Sequence, residues 1–246
     1  MHPQSTYPQS TYPRTTLIPF YLVVDVSQSM DGPRLDTANL ILQRIGEALA
    51  RDPVAAARVR VGMIDFAGGS RTVLPLCDLL NTATFPRLEC RDDGTRYAPV
   101  FNLLQATVDR DHRQLEADGF VVGRPGVFFL SDGEPFDDPP GAWEEAFATL
   151  LRECPTTPHI IPCAVADSNP GIMRALAHPA PTAPLFIQSR LASPESAIKN
   201  LTEIIVRSVV ASGHQEMVVI DETDVHALDT VIVDPPESWI DPDSRY

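Results

Sequence analysis

The sequence predicts a doubly wound α/β fold: a mostly parallel, six-stranded central sheet with one antiparallel edge strand and helices on both faces. Three observations carry this. Continuous apolar runs, such as Phe20–Val24 and VFFL at Val127–Leu130, suit strands covered on both faces rather than on one. Between such runs, apolar residues recur at steps of three and four, the spacing of one helical face. Strand and helix signals then take turns along the chain, the order that builds a parallel sheet.

Taken in order, Phe20–Val24 is the first strand, and DGPRL follows, with Pro33 suited to a helix's first turn. Leu35, Ala38, Leu42, Ile45 and Leu49 give that helix its apolar face. Val59–Phe66 and Arg71–Leu76 form a hairpin through Gly68 and Gly69, making the antiparallel edge. After an irregular stretch, a helix starting near Thr95–Tyr97 buries Val100, Leu104 and Val108. Gly126–Ser131, His159–Val165 and Pro184–Ile187 are the remaining strands, with helices near Trp143–Glu153 and Ile172–Ala177 between them. Ser193 and Pro194 cap a last helix carrying Ile198, Leu201, Ile205 and Val209.

Flanking segments read differently. Residues 1–15 contain PQSTY twice and show no periodicity, which predicts a disordered tail. Residues 16–213 hold the domain, and 214–246 form an acidic extension with nine Asp or Glu between Glu216 and Asp243. The charge balance of that extension is that of a solvated, disordered end, while two β-prone runs, Met217–Ile220 and Thr230–Val233, leave three alternatives open: docking on the domain as added strands, binding to another molecule, or a tail carboxylate serving as an internal ligand to a bound ion. A formal net charge of −14 argues against nucleic-acid binding, which needs clustered Lys and Arg. No apolar run approaches the ~20 residues of a membrane span, and the first fifteen residues contain no signal-like apolar region. Cys77, Cys90, Cys154 and Cys163 fall in no metal-ligand spacing and are expected to stay reduced. The expected location is cytoplasmic.

In a doubly wound sheet, ligands collect beyond the carboxyl ends of the strands, where the strand order reverses. Asp25, Ser27 and Ser29 lie at one such end, Asp132 at another, and Thr95 at a helix's amino end. All five offer oxygen, and none offers nitrogen or sulfur. Mg²⁺, with Mn²⁺ or Ca²⁺ as alternatives, prefers such ligands, whereas zinc sites usually recruit His or Cys. Two aspartates balance the charge, and one coordination position is left for an outside carboxylate. A turn that caps the following helix would account for Asp25–Ser29 alone, but not for Thr95 and Asp132 in register.

DVSQS at Asp25–Ser29, the threonine of DGT at Asp93–Thr95, and SDGEP at Ser131–Pro135 resemble the three loops of a von Willebrand factor A domain. In that family the loops form the metal-ion-dependent adhesion site, which implies Asp25, Ser27, Ser29, Thr95 and Asp132 as ligands. IPFYLVVDVSQSM, SDGEPFDD followed by Trp143, and IKNLTEIIVRSVVASG further resemble the bacterial TerY-type branch, associated with tellurium resistance and stress response. The resemblance implies an intracellular metal-dependent binding module with a protein kinase or PP2C-type phosphatase as partner. Gln28 stands where the family usually has Gly, and RDDG replaces a Gly-rich run before the threonine.

The rival reading is a metal-dependent phosphohydrolase or phosphotransfer enzyme using the same site. No G-x-S-x-G elbow surrounds Ser27 or Ser29, and the chain has no HExxH, GxGxxG or P-loop. The sequence therefore predicts a binding protein and no catalytic residue.

Overall fold

The computed structural model of the 246-residue chain describes residues 15–91, 94–132, 134–165, 168–178, 186–189, 194–220 and 230–233. The predicted tail apart from Thr15, the capping Ser193 and most of the acidic extension lie outside these residues.

β1 (Thr16–Asp25) runs through the middle of the sheet. Ile18, Phe20, Leu22 and Val24 enter one core, while Tyr21 and Val23 enter the other. That alternation is the period of two of a pleated strand, here with both faces covered. The chain continues through α1 (Pro33–Ala38), α2 (Ile41–Arg51), α3 (Pro53–Arg58), β2 (Val59–Phe66) and β3 (Ser70–Cys77). Next come α4 (Ala98–Ala117), β4 (Val121–Val122), β5 (Gly126–Ser131), α5 (Ala142–Glu153) and β6 (His159–Ala164). α6 (Pro170–Leu176), β7 (Phe186–Ser189), α7 (Pro194–Gln215) and β8 (Thr230–Val233) complete the fold.

The strand order is β3-β2-β1-β5-β6-β7-β8, with β4 beside the start of β1. The inner pairs are parallel; β3 and β8 are antiparallel edges. All six predicted strands are present. β4 and β8 join them, so the sheet has eight strands among the described residues, and the run Thr230–Val233 is an added strand. The other β-prone run stays irregular but still docks: Val218 is buried, and Val219 N–H donates to Ser212 Oγ (2.9 Å).

Side chains from α1, α2, α3 and α7 fill one core, and α4 and α5 fill the other. The first predicted helix is in fact two, broken at Asn39 and Leu40. There the Asn39 amide donates to Leu88 O (3.1 Å) and accepts Leu88 N–H (2.6 Å), fastening the irregular loop to the break. The four cysteines are free thiols.

From β1 the chain steps to β2 on one side, and later elements lie on the other, beginning with β5. The order therefore reverses at β1, and a crevice opens beyond the carboxyl ends of β1 and β5.

Candidate metal centre

β1 delivers Asp25 to this crevice, and β5 delivers Ser131 with Asp132 directly after it. Asp25 is fully buried. Its Oδ1 accepts the backbone N–H of Ser27 (2.9 Å), and its Oδ2 accepts the hydroxyl of Ser131 (2.7 Å). A short 3₁₀ turn, Gln28–Met30, bends the chain so that Ser27 and Ser29 face each other, Oγ to Oγ at 3.2 Å. Ser29 Oγ donates to Asp132 Oδ1 (2.7 Å). Hydrogen bonds thus connect Asp25, Ser27 and Ser29, from the end of β1 and the bend after it, with Asp132 from the end of β5.

Thr95 is joined to the same place through its backbone. Its carbonyl oxygen accepts Phe136 N–H (2.7 Å) from the loop after Asp132, and the next residue, Arg96, donates its N–H to Ala67 O (2.8 Å). The Asp137 carboxylate accepts the backbone N–H groups of Tyr97 (3.0 Å) and Ala98 (2.9 Å). It serves as the anionic cap of α4, supplied by a different loop. The loop after β5 therefore holds the threonine segment at two points.

Burial raises the pKa of Asp25, the desolvation outweighing the lowering effect of its hydrogen bonds to Ser27 and Ser131, and the nearby Asp132 adds to the rise. Behind it, Tyr97 donates to Ser131 Oγ (2.9 Å), and its ring meets Phe66, Phe101, Phe129 and Trp143 edge-on. Desolvation pushes the Tyr97 hydroxyl well above the usual phenol range, so it remains a proton donor here. The relay Tyr97–Ser131–Asp25 orients the buried carboxylate.

One cation belongs to the cluster. Arg34 of α1 donates from one nitrogen to Asp132 Oδ2 (2.5 Å) and to Ser29 O (2.6 Å). The Asp132 side chain is 1% exposed, against 26% for Arg34.

The donor set fits a hard divalent ion. Oxygens at the 2.0–2.1 Å expected for Mg²⁺ stand roughly 3 Å apart along an octahedral edge. The two serine hydroxyls, at 3.2 Å, have that separation. The Ser29 proton is engaged by Asp132, so Ser27 is the donor between the two serines, and each hydroxyl oxygen keeps at least one lone pair for an ion. Asp25 supplies buried negative charge that a cation would stabilise. Among the described residues there is no cluster of three or more His, Cys, Asp or Glu that could hold a metal.

Of the predicted set, the structure links four by side-chain or backbone hydrogen bonds and ties the fifth, Thr95, to the neighbouring loop. Arg34, Tyr97, Ser131 and Asp137 have roles that sequence reading did not assign. SDGEPFDD and DGTRY contain three of them, but nothing in spacing says which side chains cap or relay.

Residues 20–134 match the family model of the von Willebrand factor type A domain, a segment that includes all five predicted ligands. The fold is similar to that of the pilus adhesin SpaC from Lactobacillus rhamnosus GG in its open conformation. That alignment has a TM-score of 0.56 and 14% identity, over 80% of this chain and 31% of the adhesin. It is also similar to proximal thread matrix protein 1 from the mussel byssus, solved with a zinc-occupied MIDAS motif. There the TM-score is 0.54 and the identity 13%, over 80% of this chain and 48% of that one. The chain thus spans about half or less of these relatives. No curated protein matches the sequence. The match to the von Willebrand factor type A domain thus falls on the stretch that contains the five candidate ligands, in a mostly parallel α/β sheet.

Proposed function

We propose that the crevice is a divalent-cation site through which the protein binds a protein partner. Ser27, Ser29 and Thr95 supply neutral oxygens, and Asp25 and Asp132 supply charge, directly or through water. The ion is Mg²⁺, with Mn²⁺ or Ca²⁺ as substitutes, and the partner's Asp or Glu takes the open position. The observation that carries this reading is the pair of serine hydroxyls held 3.2 Å apart between two aspartates at a strand-order reversal. The family match and the zinc-occupied motif of the mussel protein support it.

Phe136 strengthens the reading. It lies four residues after Asp132, its backbone held by Thr95, yet the residue is 80% exposed. An apolar ring on a fixed backbone beside a charged site suits a protein surface better than a small substrate. The site assigns no catalytic residue. The partner belongs to a bacterial stress-response or tellurium-resistance-type system, with a protein kinase or PP2C-type phosphatase as the candidate, and the module works in the cytoplasm. No helix among the described residues is long and apolar enough to cross a membrane.

The test is calorimetry with Mg²⁺ and Mn²⁺, followed by pull-down with and without chelator. Asp132→Ala should abolish ion binding while leaving a cooperative melt, because the two cores do not depend on the ion. Partner capture that persists in excess chelator would contradict the metal bridge. Turnover of a phosphoester, lost in Asp25→Ala, would favour the enzyme instead.

A further inference from the structure

Arg34 stands in the first turn of α1, just beyond the DVSQS loop. Its guanidinium spans Ser29 O and Asp132 Oδ2, while the Ser29 hydroxyl spans back to Asp132 Oδ1. The result is a closed ring of hydrogen bonds around one of the crevice's two carboxylates. The more exposed Arg34 covers the outer side of the almost inaccessible Asp132 side chain.

We propose that Arg34 is a tethered cation that competes with the divalent ion for Asp132 and so sets the ion concentration at which the site loads. This rests on the reading of the crevice as a metal centre. A carboxylate that holds a guanidinium through a charge-assisted hydrogen bond has less charge to offer a metal. If the pair persists on loading, two cations repel across a few ångströms; if it breaks, its hydrogen bonds must be replaced. Either way the side chain weakens ion binding. Being part of the chain, it competes at a high effective concentration.

The opposite role is that Arg34 orients Asp132 for the ion. The two differ in sign, which makes them separable. Mn²⁺ titration calorimetry on the full chain should show Arg34→Gln binding about tenfold tighter than wild type, the factor equivalent to one hydrogen bond to a charged group. In chelator the same variant should melt lower than wild type, with the gap narrowing at saturating Mn²⁺. Arg34→Ala is the second variant, and tightening in whichever folds cooperatively supports the proposal. Unchanged or weaker Mn²⁺ affinity, with wild type binding normally, would overturn the competition and leave the metal centre standing. Failure of wild type and both variants to bind Mn²⁺ would overturn the two together.

Discussion

Two buried carboxylate clusters lie at the ends of neighbouring strands, and arginine treats them differently. At the end of β2, Asp65 is fully buried and held by two guanidinium groups. Arg71 reaches both its oxygens from across the hairpin, at 3.2 and 3.0 Å, and Arg91 reaches one at 3.0 Å. Arg91 also donates to Gly69 O (3.0 Å), so this cluster fastens the hairpin to the loop leading towards Thr95. At the end of β1, Asp25 is just as buried, but its hydrogen-bond partners among the described residues are neutral: a backbone N–H and a serine hydroxyl. Asp65, held by two guanidinium groups of its own chain, is part of the scaffold. An aspartate supplied only with neutral donors, next to free hydroxyl lone pairs, is suited to receive a cation from outside.

Substitution tests the contrast, and the largest stability effect belongs to the closed cluster. Asp65→Ala leaves Arg91, whose side chain is 25% exposed, without its carboxylate. Urea denaturation should show a loss of roughly 3 kcal/mol, the low end for breaking a buried ion pair. A variant as stable as wild type would erase the distinction between the clusters.

Asp25→Asn should move stability the other way when measured in chelator. The amide still accepts from Ser27 and can pair with Ser131, while the desolvated charge is gone. A rise in melting temperature of about 2–4 °C is expected, which corresponds to about 1 kcal/mol in a domain of this size. A fall would mean that the carboxylate's two hydrogen bonds outweigh its desolvation.

The smallest effect lies at the opposite end of the sheet, where the titrating group is basic. Burial, then Arg124, then His178 lower the pKa of His159 from 6.5 to about 4. The folded state thus favours the neutral ring, and the unfolded chain takes up protons first as pH falls. Stability from this group is fully present above pH 6.5 and drains away as pH falls towards 4. His159→Gln should flatten the stability profile across that window. An unchanged slope would assign the acid loss to other groups.

These regions differ also in how far the sequence foretells them. The inner strands are legible because burial on both faces leaves continuous apolar runs such as Phe20–Val24. The break at Asn39 is not, because the apolar spacing continues across it and the cause is a contact with Leu88, far along the chain. The candidate ligand oxygens are legible because DVSQS packs three of them into five residues. Arg34 and Asp137 are silent in sequence. Their partners, Asp132 and Tyr97, lie 98 and 40 residues away, and only the folded chain brings them close, by pairing β5 beside β1 and setting the start of α4 against the loop after β5. Asp65 looks like any strand residue until the hairpin and the following loop place two arginines on it.

The central claim is that the open cluster, and not the closed one, receives a divalent cation. Electron paramagnetic resonance titration with Mn²⁺ tests it most directly, on wild type, Asp132→Ala and Asp65→Asn. One bound ion per wild-type chain is expected, none in Asp132→Ala, and binding retained in Asp65→Asn. Binding that survives Asp132→Ala, or that disappears only with Asp65→Asn, would contradict it.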